Sequence, residues 1–319
     1  MFYKLLKIPA RFAIWLYCRK IVISNPAILR SKGPLLIASN HPNSFLDAII
    51  LATLFDKPVY SLTRGDTFKK KFYATLLNLL NMLPVYRMSE GAENLEENYK
   101  TFEKCREIFQ QNGIVLIFSE GRCINEWKLR PLKKGTARLA MSSWESGIGL
   151  TIIPTAINYQ SFTSFGKNIQ LNFGNTISEK NISNAIGYGN TINDFNEKLK
   201  TELKKITVEI ESNNKAAIQK QFEIKQSLFK KIFLFLPALI GYLIHAPLYM
   251  PIQRLSWNKA RHVDHYDSVI VGLLFILYPF YLVLFVILAC WLIGGYWWAL
   301  VFLVLPFCAW SFLQIKKQF

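Results

Sequence analysis

The residues best suited to chemistry in this sequence are a histidine and an aspartate near its start. His41 is the only histidine among the first 244 residues, and Asp47 follows it six positions later. Imidazole gains and loses a proton readily near neutral pH, and a carboxylate on its far nitrogen fixes the tautomer and increases the basicity. The pair therefore predicts a general base. The alternative interpretation is a surface histidine near a helix-capping residue, either Asn43 or Asp47.

A second set of polar residues lies near the C-terminus. Residues 261–267 contain two histidines, His262 and His265, and two aspartates, Asp264 and Asp267. Two imidazoles three positions apart could face one metal ion from the same side of a helix. The chain has no further histidine after these two, and its five cysteines are scattered without a Cys-x-x-Cys pair. We therefore interpret the segment as a polar linker beside a membrane helix, and we expect no metal site and no disulfide framework.

The elements around these residues indicate a membrane protein. Hydrophobic residues make up 51% and aromatic residues 14% of the 319 residues, more than is usual in soluble proteins. Two runs without charge, residues 268–293 and 296–313, are each long enough to span a bilayer, and Gly294 and Gly295 lie between them. These runs predict a transmembrane helical hairpin.

A third uncharged run, residues 232–252, is interrupted by prolines. It is expected either to span as a bent helix or to enter and leave on one face of the membrane. Basic residues flank the apolar runs, and keeping those basic ends cytoplasmic makes the third run re-entrant. The sequence thus predicts a membrane domain over residues 232–319, preceded by a basic helical linker over residues 216–231.

The first 25 residues predict a membrane element of another kind. Apolar and aromatic residues are mixed there with lysine and arginine, as in a basic amphipathic helix that lies in the interface. Pro9 and Arg11 interrupt the apolar stretch and no small-residue cleavage site follows, so a signal peptide is not expected. The domain between the membrane elements, residues 26–215, is therefore expected on the cytoplasmic side.

The charge of the chain indicates an anionic partner. Its net charge is +17 and its pI is near 9.6, values typical of proteins that bind nucleic acid or anionic surfaces. The apolar C-terminal runs favour anionic lipid and phosphate-bearing substrates. No nucleic-acid-binding motif is present, so nucleic acid is not expected as a partner.

Short apolar runs alternate with helical patterns between residues 26 and 215. This alternation predicts an α/β layered domain with a mixed, largely parallel sheet. Functional residues in such a domain lie in loops at the carboxyl ends of strands. Four positions along the chain follow that rule: the loop of His41 and Asp47, Arg87 after a strand, Glu120, Gly121 and Arg122 after a further strand, and Pro154 in an apolar run.

The order and spacing of these four blocks resemble those of the glycerolipid acyltransferases, the phospholipid and glycerol acyltransferase family that includes 1-acylglycerol-3-phosphate acyltransferases. That family has a histidine and an aspartate separated by four residues, an arginine after a strand, the sequence Phe-Pro-Glu-Gly-Thr-Arg, and a proline in an apolar run. Here five residues separate His41 from Asp47, and residues 118–122 read Phe-Ser-Glu-Gly-Arg. The longer first block resembles a variant found among some glycerol-3-phosphate and aminolipid acyltransferases. The resemblance covers roughly residues 30–180.

The resemblance implies direct attack of an acceptor hydroxyl on an acyl thioester, without a serine nucleophile. His41 and Asp47 form the catalytic pair, with His41 as the base and Asp47 holding its imidazole. Arg87 and Arg122 would bind phosphate oxygens through their guanidinium groups, or they are solvated surface charges. These roles are expectations for the substrate-binding side of the site.

Three further residues belong to the expected binding site. Glu120 would accept a hydrogen bond from a glycerol hydroxyl or order its loop, and Gly121 would permit the backbone turn. Lys133 would either add positive potential at the site or solvate the start of a helix.

The expected function is transfer of a fatty acyl group from acyl-CoA or acyl-carrier protein to 1-acylglycerol-3-phosphate, giving phosphatidate. The partners are then a membrane lipid and the thioester donor, and neither a cofactor nor a metal is implied. Glycerol-3-phosphate or a lyso-aminolipid is the alternative acceptor. In another class, the alternative is a non-catalytic membrane lipid-binding protein.

Overall fold

A largely parallel β-sheet forms the centre of the protein. The computed structural model describes residues 2–86, 95–182, 187–293 and 297–318. Within them the strands are β1 (Lys20–Ile23), β2 (Leu35–Ser39), β3 (Val59–Arg64), β4 (Met82–Val85), β5 (Ile114–Phe118), β6 (Thr151–Tyr159) and β7 (Asn168–Phe173). Their order across the sheet is β1-β7-β6-β2-β5-β3-β4, and among these pairs β6 and β7 alone run antiparallel. The predicted α/β fold with a mixed, largely parallel sheet is confirmed.

Helices cover both faces of the sheet and continue into the C-terminal region. Those of the described residues are α1 (Phe2–Tyr17), α2 (Ser44–Leu54), α3 (Lys71–Leu79), α4 (Leu95–Gln110), α5 (Gly135–Glu145), α6 (Tyr188–Ile206), α7 (Lys215–Phe222), α8 (Leu228–Ala260), α9 (Tyr266–Ile293) and α10 (Val301–Ile315). Short 3-10 helices lie at Pro26–Arg30, Gly65–Phe68, Glu179–Asn181 and Trp297–Leu300.

The central strand β2 shows how the sequence produces two hydrophobic layers. Alternate residues of a strand point to opposite faces, and every residue of β2 is buried. Leu35 and Ile37 pack with α1, α2 and the adjoining parts of α8 and α9, whereas Leu36 and Ala38 pack with α4, α5 and α6. The end of β2 is thereby fixed between two packed layers, and the loop that follows it starts from a rigid point.

The N-terminal segment differs in part from the expectation of one helix over residues 1–25. The helix α1 ends at Tyr17, and residues 20–23 form the edge strand β1, which pairs with β7. Four residues are too short a strand to show a clear alternating pattern. α1 itself exposes large apolar side chains, among them Leu5 and Ile8, and buries Ile14 and Tyr17.

Three helices of the described part of the chain are long and apolar enough to cross a membrane, namely Leu228–Ala260, Tyr266–Leu292 and Trp298–Ile315. They indicate that the protein is associated with a membrane. The expected uncharged runs 268–293 and 296–313 fall mostly within the second and third of these helices. The glycine turn expected between them lies outside the described residues.

The proline-interrupted run 232–252 lies inside the continuous helix α8. Prolines are tolerated in apolar helices because neighbouring helices and side chains satisfy the freed backbone groups. The expected linker over residues 216–231 is helical in α7 and in the first turn of α8, and residues 223–227 between them are not helical.

The start of α8 contacts α10, which is bound to the α/β domain, whereas the end of α8 packs against that domain directly. Near its start, Lys230 Nζ donates to Gln314 Oε1 at 2.8 Å, and the backbone oxygen of Gln314 accepts from the buried Arg19 guanidinium at 3.1 Å. Near its end, Ile252 and Ala260 belong to the hydrophobic cluster beneath the sheet. The 33-residue helix is roughly 50 Å long, so these two contacts lie far apart along it.

Candidate active site

His41 and Asp47 meet directly in the structure. His41 lies in the loop after β2 and Asp47 in the first turn of α2, with 2.9 Å between His41 Nδ1 and Asp47 Oδ2. The Asp47 side chain is fully buried, and the His41 side chain retains 18% of its exposure. With Nδ1 engaged by the carboxylate, Nε2 is the nitrogen that can take a proton from a substrate.

Asp47 is held by two further donors. The Tyr159 hydroxyl donates to Asp47 Oδ1 at 2.7 Å, and the backbone N–H of Asn43 donates to Asp47 Oδ2 at 2.8 Å. Burial raises the pKa of Tyr159 well above its usual value, so this residue stays a hydroxyl donor at neutral pH. The carboxylate is therefore fixed in orientation before any substrate binds.

The five-residue spacing does not separate the pair. Ser44 has a φ of 52°, a left-handed conformation that residues other than glycine rarely adopt, and it begins α2. On the other side of His41, the Asn40 amide exchanges two hydrogen bonds with the backbone of Ile157 on β6, at 2.9 and 3.2 Å. These two features place the loop so that the first turn of α2 still presents Asp47 to His41.

Phe118 at the end of β5 forms one wall of the site. Its ring stacks on the His41 imidazole with a centroid distance of 3.8 Å and an interplanar angle of 11°. Ser39 and Phe118 are register partners on the adjacent parallel strands β2 and β5, so the loop that carries His41 leaves the sheet beside Phe118. The sequence contained a signal for this contact, because Ser39 and Phe118 each directly precede a polar loop at the end of a strand.

Glu120 connects the two loops of the site. Its Oε2 accepts from the His41 backbone N–H at 3.1 Å, and its Oε1 accepts from the Arg130 backbone N–H at 3.0 Å. Burial raises the pKa of Glu120, an effect opposed by these two donors. Both oxygens already accept backbone hydrogen bonds, so the geometry favours the interpretation of Glu120 as the residue that orders the loop.

Gly121, Arg122 and Lys133 lie together beyond Glu120. Gly121 has a φ of 66°, and a Cβ there would approach Lys133 Cγ to 2.9 Å. Arg122 and Lys133 are both exposed, and the Lys133 backbone N–H donates to Ser119 at 2.7 Å. The two cationic side chains thus reach solvent beside the loop that carries Glu120. Arg87, the third expected cation, lies outside the described residues.

Residues 20–158 match the model of the acyltransferase family. The likeness to the acyltransferase family therefore covers less than half of the chain. The match includes every residue expected in the site, from His41 to Lys133. Among solved structures, the 1-acyl-sn-glycerophosphate acyltransferase PlsC from Thermotoga maritima is similar to this chain at 11% identity and a TM-score of 0.43, over 64% of this chain and 77% of that one. A comparison with curated proteins gives no match.

One thiol that the sequence analysis did not single out lies next to the candidate site. Cys123 Sγ accepts the Ser44 backbone N–H at 2.9 Å. Burial raises the pKa of Cys123, so it remains a thiol at neutral pH and is a poor nucleophile. No group of three or more metal-ligating side chains occurs in the part of the chain that the structure describes.

The segment 261–267, interpreted from sequence as a polar linker, contacts the loops of the candidate site. His265 Nδ1 lies 2.6 Å from Ser44 Oγ, and Asp264 Oδ1 accepts the Asn125 backbone N–H at 3.1 Å. The linker interpretation was therefore incomplete. Sequence spacing could not show this contact, because more than 200 positions separate His265 from Ser44.

Proposed function

We propose that the protein is an acyltransferase that moves a fatty acyl group from an acyl thioester to the free hydroxyl of 1-acylglycerol-3-phosphate, giving phosphatidate. The observation that carries the proposal is the His41–Asp47 pair, with Nδ1 bound to a buried carboxylate at 2.9 Å and Nε2 left for the acceptor hydroxyl. It lies at the carboxyl end of β2, where ligands bind in parallel α/β sheets.

The proposed reaction requires no covalent enzyme intermediate. His41 Nε2 takes the proton of the acceptor hydroxyl while the hydroxyl oxygen attacks the thioester carbonyl carbon. The tetrahedral intermediate then collapses, the carbon–sulfur bond breaks, and the thiol leaves with the proton that His41 returns. Asp47 stabilises the protonated imidazole between these two steps.

The exposed cations near His41 support a phosphate-bearing acceptor. Arg122 and Lys133 reach solvent from the neighbouring loop, and guanidinium groups bind phosphate oxygens in pairs. Arg87 is proposed as a third phosphate ligand from its place in the family pattern. The donor is proposed to be acyl-CoA or acyl-carrier protein, which present the same reactive thioester.

The membrane elements support a site at the bilayer surface, proposed on the cytoplasmic side. α1 exposes apolar side chains, including Leu5 and Ile8 with exposed fractions of 69% and 74%, and the net charge of the chain is +17. Such a surface suits an anionic bilayer, where the acyl acceptor and product reside.

The test measures thiol release by purified protein with lysophosphatidate and acyl-CoA or acyl-carrier protein. His41→Ala is expected to abolish release, and the exposed His262→Ala is the matched control that keeps it. Substantial turnover by His41→Ala would overturn the mechanism. A protein without transferase activity toward any acceptor would instead be the lipid-binding alternative.

A panel of acceptors tests the phosphate contact and the identity of the acceptor. Arg122→Ala is expected to lower kcat/KM toward lysophosphatidate and to leave a phosphate-free lyso-aminolipid unaffected. Arg30→Ala removes an exposed arginine at the opposite edge of the sheet and serves as the control. A preference for glycerol-3-phosphate or for the lyso-aminolipid would replace the proposed acceptor.

A further inference from the structure

A buried polar network connects the start of helix α9 to the domain. Asp267, in the first turn of α9, is fully buried, and it forms an ion pair with the equally buried Lys167. The Tyr17 hydroxyl donates to Asp267 Oδ1 at 2.5 Å, and Asn43 Nδ2 donates to Asp267 Oδ2 at 2.7 Å. Three elements far apart in the sequence therefore supply donors to one carboxylate.

Asn43 extends this network to the active site. While its side chain donates to Asp267, its backbone N–H donates to Asp47 Oδ2 at 2.8 Å. That oxygen is the one that lies 2.9 Å from His41 Nδ1. Asn43 is itself fully buried and directly precedes α2, but its side chain makes no hydrogen bond that caps the helix. Its amide is directed to Asp267 instead.

A second contact to the same loop comes from His265, the residue directly before α9. His265 Nδ1 lies 2.6 Å from Ser44 Oγ, and Ser44 has the left-handed φ of 52°. A non-glycine residue in that conformation is strained and persists only where its surroundings hold it. Burial lowers the pKa of His265, so the imidazole is neutral and can accept a hydrogen bond from the Ser44 hydroxyl.

We propose that Asp267 and His265 are positioning residues for acyl transfer, and that the start of α9 completes the active site by holding the His41 loop through Asn43 and Ser44. The inference rests on the proposed role of His41 as base, but not on the identity of the acceptor. The membrane region is then a part of the active-site scaffold as well as an anchor.

The expected effect falls on kcat. A displacement of about 1 Å in a reacting group can cost on the order of 100-fold in rate. Loss of the Asn43 amide or of the His265 imidazole leaves the His41–Asp47 pair present but less well held, so we expect kcat to fall by roughly 10- to 100-fold. KM for the thioester should change little, because neither residue lies among the exposed cations.

Asn43→Ala and His265→Ala are the first variants to measure, because neither leaves a buried charge unpaired. The matched control is Tyr281→Phe, which removes a 2.6 Å hydrogen bond from α9 to Ile244 in α8, away from the His41 loop. It is expected to keep the wild-type kcat. Wild-type kcat in both Asn43→Ala and His265→Ala, with His41→Ala inactive, would overturn this inference alone. Activity in His41→Ala would overturn the proposed function itself.

A double-mutant cycle separates positioning from general stability. If Asp267 acts through Asn43, adding Asp267→Asn to Asn43→Ala should lower kcat by less than about 2-fold relative to Asn43→Ala alone. If the two residues act independently, the reductions in kcat of the separate variants would multiply. Lys167→Met is included with Asp267→Asn so that no buried ammonium group is left unpaired. Multiplicative losses of kcat, or losses that follow the fraction of folded protein in every variant, would contradict the proposal.

Discussion

Substitution of Asp47 by Asn tests the electrostatic role of this carboxylate without removing its hydrogen bonds. The His41 ring and the Asn43 backbone N–H both donate to Oδ2, and the Tyr159 hydroxyl donates to Oδ1. An amide can place its oxygen at the Oδ2 position and its NH2 group toward the Tyr159 oxygen, which can also accept. Because a backbone N–H cannot accept, the reverse orientation is disfavoured. Asp47→Asn should therefore fold and keep the His41 tautomer.

The loss in rate follows from the missing charge. The nitrogen and oxygen are 2.9 Å apart, and the centres of the delocalised charges are about 4 Å apart, which corresponds to about 4 kcal/mol at an effective dielectric constant of 20. That energy stabilises the protonated imidazole formed during acyl transfer, so kcat should fall by roughly 1,000-fold. A wrong tautomer would cost nearer 10,000-fold, as in the serine-protease triad.

The assay is steady-state thiol release from the acyl thioester, with circular dichroism and thermal unfolding in the same detergent. Tyr159→Phe is the comparison, because it keeps the negative charge and removes one donor. It should cost about 1.5 to 3 kcal/mol of stability through the lost bond to a charged acceptor, with a smaller loss of kcat than Asp47→Asn. If Asp47→Asn keeps kcat within about 10-fold of the wild type, the charge of Asp47 is not needed and the reasoning is refuted.

Three other outcomes are expected. Gly121→Ala should lower both the melting temperature and the activity, because the new Cβ would be strained by the left-handed backbone and would also approach Lys133 Cγ to 2.9 Å. Gly147→Ala meets no atom within 4 Å, so it should lose only the stability that the backbone strain costs, about 1 kcal/mol. Equal losses of stability in the two variants would contradict this. The raised pKa of Glu120 means that the folded state holds the carboxyl proton more tightly than the unfolded state does. The contribution of Glu120 to stability should therefore decline as pH rises from about 4.3 through the raised pKa. Thermal unfolding of Glu120→Gln should not show this pH-dependent decline. The start of α8 is connected to the α/β domain through Gln314 of α10, and its end packs on the same domain. Single cysteines at Lys231→Cys and Lys259→Cys in a cysteine-free background should therefore react with a membrane-impermeant maleimide from the same side. Labelling from opposite sides would show a span.

Local patterns were sufficient to predict the sheet and the central pair. The expected alternation of apolar runs and helical patterns is found, for example, in strand β5 (Ile114–Phe118) and helix α5 (Gly135–Glu145). His41 and Asp47 are close in sequence, so the first turn of one helix was enough to bring them together. Both features depend on contacts within a few residues, which composition and periodicity record.

The partners of the pair could not be predicted, because they come from distant elements. Tyr159 is 112 positions from Asp47, and Asp267 is 224 positions from Asn43. A tyrosine at the end of an apolar strand and an aspartate at the start of an apolar helix have ordinary structural explanations in a sequence. Their roles depend on which strand lies beside β2 and on where α9 begins, and sheet order and helix docking set both. Glu120 illustrates the same limit, since its two backbone donors were not visible in the motif.

The longer His41–Asp47 spacing and the docking of α9 are connected by geometry. An extra residue in the turn between a strand and a helix must be accommodated by the backbone, and the left-handed Ser44 accommodates it here. That conformation turns the Ser44 hydroxyl toward His265 and leaves the preceding Asn43 amide facing Asp267, at 2.6 and 2.7 Å. The loop after β2 thus has two contacts with residues at the start of the membrane region. A shortened loop would lack the residue that makes one of them, so deletion of Ser44 should weaken the dependence of kcat on His265.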